Sequence, residues 1–392
     1  MRLRPFLTVV GVRTAYWLGA AVALVWAPIR SEFPPYSAYD AHTDLLFGTF
    51  GQWDSGWFLR IADHGYDVLP TTAFFPLYPL LVRGGGFLLG SLLVAGVLLS
   101  LLAAGIAGVL VWQIARQFAD ERVADDTVLL LALYPAALVF TAVYSDALYL
   151  ALAAGSFLAA LRGRSWLAGV LGGLAVLTRL VGLALLPALL IALWQRSRSR
   201  RDLAWSLLPL LLLPAALGVY LLYLDHRFGD PFAFANAQEL YWQRSTTALG
   251  PVGGLWDSLV AGWNGAAELA RHLPRALGNP EGFPDRDRFA VWNVLHLGLL
   301  VAALWLTWVA WRRLGPALGA YALAVDAAVL SGTHEVFPLA SLPRYLLANF
   351  PVFIALALVL RNRPQAREWT IVAFAAVGAV AAVGFAQHVW IG

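Results

Sequence analysis

Apolar runs about as long as a bilayer is thick recur from one end of this chain to the other, and charge is confined to short stretches between them. A helix needs about 20 such residues to cross the hydrocarbon layer. A backbone in that layer must satisfy its own hydrogen bonds, which leaves only helices or closed barrels. Runs of this length mark helices, so the expected fold class is an all-α polytopic membrane protein. Charged residues are 13% of the chain, against about 25% in a soluble domain. The length would allow two or three soluble domains, but the apolar runs are continuous enough to read residues 1–392 as one transmembrane domain.

About eleven spans are expected: 11–29, 87–112, 128–144, 146–161, 166–180, 182–195, 203–224, 290–311, 316–331, 344–360 and 370–390. The 166–195 stretch is either one long tilted helix or a hairpin of two short ones, and charge chooses between them. Cytoplasmic loops are enriched in basic residues. All 27 basic residues here are arginine, which with the abundant Ala, Leu and Gly suggests a GC-rich bacterial genome. With the N-terminus (Arg2, Arg4, Arg13) inside and the hairpin in place, Arg116/Arg122, Arg162/Arg164, Arg196/Arg198/Arg200/Arg201, Arg312/Arg313 and Arg361/Arg363/Arg367 all fall inside. The expected location is therefore the bacterial inner (plasma) membrane, with a cytoplasmic N-terminus. The first apolar stretch has no small-residue cleavage site, so it reads as a retained span. The net charge of +4 reflects orientation and not nucleic-acid binding. There is no cysteine, hence no disulfide and no thiolate metal site.

Two long loops then face outward, about 30–86 and about 225–289, both rich in Trp, Tyr, Phe and Pro. Long polar segments on one side of a membrane protein are seldom mere connectors. The first contains Trp53-Asp54-Ser55-Gly56-Trp57-Phe58, with Arg60, Asp63, His64 and Asp67 following. A helix from about 53 to 63 would carry Trp53, Trp57 and Ile61 on one face and lie in the interface plane. Its ordinary explanation is a solvated polar face; its functional one is a general base beside a phosphate-binding group. Tyr144-Ser145-Asp146 sits at a tight outer turn where Asp146 could simply cap the next helix. Arg179 sits at a break between spans, where it either snorkels or faces an anion. Ser331-Gly332-Thr333-His334-Glu335 leads to Pro343-Arg344-Tyr345, and an outer arginine entering a span suits a phosphate. Adjacent His334 and Glu335 support a zinc site only weakly, since no i, i+4 His pair accompanies them. Asp326, mid-span, is a candidate by location alone. Phe228-Gly229-Asp230-Pro231 could be a plain turn.

No P-loop or dinucleotide fingerprint is present, so an activated donor would be membrane-borne. The segments just quoted, with Ala73-Phe74-Phe75-Pro76-Leu77-Tyr78-Pro79 and Thr178-Arg179…Gly182, occur in an order that resembles the GPI mannosyltransferase II (PIG-V type) family and its bacterial relatives, from about 50 to 355. Ser55 between Asp54 and Gly56, and Asp146 where the family often has Glu, are departures. The resemblance implies a GT-C glycosyltransferase that uses a polyprenyl-phosphate sugar donor, with Asp54 as catalytic base. Arg344, Arg179 and Arg60 would then hold the donor phosphate. Asp146, His64, Tyr345, His334 and Glu335 would contact substrate, and the acceptor would be a glycolipid, glycan or protein. A divalent metal is left open as a cofactor. The rival reading, a transporter or flippase of lipid-linked sugars, would require polar residues along several mid-membrane helices.

Overall fold

The computed structural model describes residues 3–26, 46–276 and 285–389, with backbone alone for 272–276 and 285–288. The expected loop positions 30–45 and 277–284, and the ends of the first and last spans, lie outside the described residues. In chain order the helices are α1 (Arg4–Trp26), α2 (Asp54–His64), α3 (Leu77–Leu89), α4 (Leu92–Phe118), α5 (Glu121–Leu133), α6 (Asp146–Leu161), α7 (Ser165–Thr178), α8 (Leu185–Arg196), α9 (Arg200–Leu207), α10 (Leu212–Phe228) and α11 (Ala233–Trp242). After the short strand β1 (Arg244–Thr246) come α12 (Pro251–Ala276), α13 (Asp285–Leu314), α14 (Pro316–Ser331), strand β2 (Gly332–His334), α15 (Leu342–Tyr345), α16 (Phe350–Leu360) and α17 (Pro364–Ala386).

The chain is an all-α multi-pass membrane protein, as its apolar periodicity implies. Five helical segments are long and apolar enough to cross a bilayer: Arg4–Trp26, Leu92–Phe118, Arg200–Phe228, Phe289–Leu314 and Pro364–Ala386. A sixth results if Leu342–Ala348 and Phe350–Leu360, bent by 89° at Asn349, form one broken span. The expected spans 146–161, 166–180, 182–195 and 316–331 correspond to shorter apolar helices, and 128–144 does not. One expected span ends early. The 128–144 run is α-helical only to Leu133 and continues as a 3₁₀ turn over Pro135–Phe140. Pro135 lacks an N–H and disfavours the α conformation at Tyr134.

The 166–195 stretch is a hairpin. Arg196, at the end of α8, donates from Nη1 to the Leu161 carbonyl at 2.8 Å, so the chain returns to where α7 began. The fold-back is tight at Gly182, where a Cβ would lie 2.6 Å from the Val176 nitrogen.

The basic connections gather at one end of the bundle. Arg4 pairs with Asp125 at 3.0 Å, Arg361 with Asp120 at 2.7 Å and Arg367 with Asp126 at 2.5 Å. Arg162 donates to Gln113 at 2.6 Å. Arg13 does not belong to this set, despite its place in the N-terminal charge count. It is fully buried within α1, with its guanidinium 4.5 Å from the Tyr16 ring centre.

At the other end the described parts of the two long loops are largely helical. Phe58, Leu59, Ile61 and Ala62 of α2 are buried in the main core. The helix therefore packs into the protein through this face. Strand β1 pairs antiparallel with β2, Arg244 opposite His334, which clips the second loop to the end of α14. Helix α12 presses on the same place: a Cβ on Gly254 would fall 1.7 Å from the Leu330 carbonyl oxygen. Overpacking against backbone typically costs about 1–3 kcal/mol. Gly254→Ala is thus expected to lower the thermal midpoint of the detergent-purified protein, and an unchanged midpoint would show that this contact is not tight.

Candidate active site

Asp54 and Asp146 each open a helix, α2 and α6. A helix N-terminus favours a carboxylate through its unpaired amides and dipole. The two N-termini converge on one guanidinium from a distant part of the chain. Arg344 Nη1 donates to Asp54 Oδ2 at 2.5 Å. Its Nε donates to Asp146 Oδ2 at 3.1 Å, and its Nη2 lies 3.1 Å from the same oxygen. Arg179 Nη1 lies 2.5 Å from Asp146 Oδ1, an ion pair without hydrogen-bond alignment. Residues 54, 146, 179 and 344 thus form one chain of two acids and two arginines.

Local backbone explains each placement. Trp53, before Asp54, has φ 58°, an uncommon conformation for a bulky residue that turns the chain into α2. The Asp54 amide donates to the Tyr144 hydroxyl at 3.2 Å, and the Arg344 guanidinium stands 4.5 Å over the Tyr144 ring centre. Arg179 is extended where α7 stops. Arg344 sits on the four-residue α15, entered through Ser341 at φ 62° and Pro343. Asn349, at the bend after α15, donates to Asp326 Oδ1 at 2.9 Å and to the Ala322 carbonyl at 3.1 Å. Thr307 holds the other Asp326 oxygen at 2.6 Å. Asp326 does not line the cavity; its visible part is to fix the bend that presents Arg344.

The four charged residues line a cavity of about 1090 Å³. Its apolar lining includes Tyr134, Leu138, Phe374, Leu183, Leu295 and Leu299. Trp53, Phe74, Phe234 and Trp242 also line it.

Of the other sequence-identified residues, Tyr345 lines the cavity. Arg60 does not. It forms a two-pronged pair with Asp67 at 3.0 and 2.7 Å. That pair holds the Asp67 carboxyl below its ordinary range, mainly through the Arg60 hydrogen bonds. His64 is also outside the cavity lining, 3.4 Å from Asp63. His334 accepts from the amides of Val336 and Phe337, each at 3.2 Å, and neither it nor Glu335 lines the cavity. Burial, then the nearby Arg244, push the His334 imidazole pKa down. Among the described residues no group of three or more His, Cys, Asp or Glu could hold a metal ion. Asp54 and Asp146 are each engaged by arginine.

Sequence reasoning missed Arg244 and Tyr144. Arg244 Nη1 donates to the Tyr345 hydroxyl at 2.8 Å, with its guanidinium 4.6 Å from that ring's centre. Arg179 lies 5.7 Å from the same ring centre. The polar, β-branched Arg244-Ser245-Thr246-Thr247 run after an aromatic helix end was the available signal.

A bundle of apolar helices with an ionic cluster lining a large, mostly apolar cavity is the frame of a multi-pass membrane protein with a charged site. The family model described as mannosyltransferase (PIG-V) matches residues 7–204, half of the chain, and the chain belongs to that family, a family of membrane glycosyltransferases. No curated protein matches it. Among solved structures it is similar to the apo oligosaccharyltransferase of Archaeoglobus fulgidus, at 17% identity and a TM-score of 0.46 over 97% of this chain and 55% of that one. The same archaeal enzyme, AglB, in complex with an inhibitory peptide and a dolichol-phosphate gives 15%, 0.47, 97% and 55%. ArnT from Cupriavidus metallidurans bound to undecaprenyl phosphate gives 15% and 0.46 over 95% of this chain and 76% of that one. The chain spans about half the length of the archaeal enzyme. These distant likenesses concern helical arrangement alone, and no residue is matched through them.

Proposed function

We propose that this protein is a GT-C glycosyltransferase that moves a sugar, mannose by family, from a polyprenyl-phosphate donor to an extracytoplasmic acceptor with inversion. The observation that carries the reading is the Asp54–Arg344–Asp146–Arg179 chain at the mouth of the apolar-walled cavity. The walls suit a polyprenyl tail and the arginines suit a phosphate.

The chemistry follows from charge. Asp54, the proposed base, takes the proton of the acceptor hydroxyl as its oxygen attacks the anomeric carbon. The new C–O bond forms as the anomeric carbon–phosphate oxygen bond breaks on the opposite face, which inverts that carbon. The electron pair leaves with the lipid phosphate, which gains a negative charge. Arginines at the cavity offset that charge, so the leaving group needs no general acid. Asp146, paired to both Arg179 and Arg344, fixes where those cations stand.

The test is transfer of labelled mannose from polyprenyl-phosphate mannose in membranes holding wild-type or Asp54-substituted protein. Transfer that survives the substitution unchanged would remove Asp54 from the mechanism. No transfer from any polyprenyl-phosphate sugar would favour a transporter.

The basic end of the bundle is assigned to the bacterial cytoplasm and the cavity end to the outside, by the positive-inside rule. Because the chain has no cysteine, single introduced cysteines report this directly. Leu249→Cys, at an exposed position of the second loop, is expected to react with an impermeant maleimide on intact spheroplasts. Arg164→Cys is expected to react only after permeabilisation, and the reverse pattern would invert the topology.

A further inference from the structure

Among the described residues, charge balance around the cavity leaves one cation over. Arg179 and Arg344 face Asp146 and Asp54. Arg244 lines the same cavity and is partly buried, yet the oxygens it meets are all neutral. These are the Tyr345 hydroxyl at 2.8 Å and the Ala340 and Val329 carbonyls, each at 3.5 Å. Among the described residues no carboxylate lies within ion-pair distance of it.

The fold spends structure on keeping it there. Gln243, in a left-handed turn at φ 49°, ends α11 and starts β1. The β1–β2 clip then fixes the Arg244 backbone opposite His334. Gly332 on β2 leaves room for the side chain: a Cβ there would come 3.2 Å from Arg244 Nε. The Tyr345 ring supports the guanidinium from below at 4.6 Å. A guanidinium removed from water without an anion is unfavourable, and its planar fork matches two oxygens of a phosphate.

We propose that Arg244 is the residue that takes the donor's phosphate, with Tyr345 positioning it beside Arg344. The assignment rests on the glycosyltransferase reading above. The Arg344–Asp54 and Arg179–Asp146 pairs then stay intact when the lipid enters, because the incoming charge has its own partner. One uncommitted cation also matches the single negative charge of a sugar phosphodiester.

The experiment titrates full-length protein in detergent with undecaprenyl phosphate, phosphatidic acid and undecaprenol, and reads binding by thermophoresis. Arg244→Ala is expected to weaken undecaprenyl phosphate binding about tenfold or more, the scale of one charge-assisted contact. Arg244→Lys should recover part of it, and undecaprenol affinity should stay within about twofold in every variant. That last result also shows that the lipid-facing cavity of each variant is folded. Unchanged undecaprenyl phosphate binding in Arg244→Ala overturns the assignment and leaves the transferase reading standing. Equal loss of phosphatidic acid affinity overturns it in favour of a structural lipid headgroup. Equal loss of undecaprenol affinity overturns it in favour of a packing role. A wild-type protein that binds undecaprenol and undecaprenyl phosphate alike overturns it together with the polyprenyl-phosphate donor.

Discussion

Under the proposed mechanism, Asp54→Asn is expected to lower the turnover of sugar transfer by about 10²–10⁴-fold, the usual worth of a positioned general base, while the KM for the proposed donor lipid is expected to change only a few-fold. The asymmetry follows from the geometry. Asparagine keeps the size of the side chain and can still accept from Arg344 Nη1, which now lies 2.5 Å from Asp54 Oδ2. Arg344 also keeps its contacts to Asp146, so the cation remains in place and the fold is little disturbed. What is lost is a group that can accept the acceptor's proton. Asp54→Glu keeps that ability but moves the carboxylate by one methylene, so it should retain more activity than Asn. The measurement is steady-state transfer from polyprenyl-phosphate mannose at saturating donor and at saturating acceptor. Turnover within threefold of wild type for Asp54→Asn would end the base assignment. A large rise in KM with unchanged turnover would recast Asp54 as a binding group.

How much of this was readable before the fold was known depends on the kind of signal. Spans are legible because lipid imposes one rule on every helix: a long apolar run with charge at its ends. The hairpin at Arg179 was legible for a related reason, since only two crossings put Arg196 through Arg201 on the same side as Arg162. The fold confirms this locally through the Arg196–Leu161 contact. Asp54, Asp146, Arg179 and Arg344 were legible as separate oddities, each a charge at a break between apolar runs. Their convergence was not, because nothing in a single sequence says which of four distant turns meet. Arg60, His64, His334 and Glu335 stood out by the same criterion and face elsewhere. A polar residue in a loop has many partners to choose from, and Arg60 finds Asp67 seven residues on. Arg244 had only a faint local signal, because its position comes from two three-residue strands far apart in the chain. Strands so short carry no alternation to detect.

Arg344→Ala should be the most disruptive single change at the site, in stability as well as activity. Among the described residues, wild-type Arg344 is the one cation paired with both acids. Without it, Asp146 keeps Arg179, but Asp54 is left with a helix N-terminus and neutral neighbours. Removing one member of a buried ion pair costs about 3–5 kcal/mol, chiefly because the survivor stays charged and unpaired. Asp54 retains a side-chain exposure of 21%, which places the expected loss near the lower end, about 3 kcal/mol. Transfer should fall below detection, since the base and its neighbouring cations lose their common anchor. The diagnostic is a second change. In the Arg344→Ala background, Asp54→Asn removes the orphaned charge and should restore part of the lost thermal midpoint while leaving transfer absent. Arg344→Lys should hold an intermediate midpoint, because a single ammonium cannot reproduce a planar fork shared by two carboxylates. If Arg344→Ala and the double variant melt at the same temperature, Asp54 is not held charged by Arg344, and the ionic chain that defines this site has been misread at its first link.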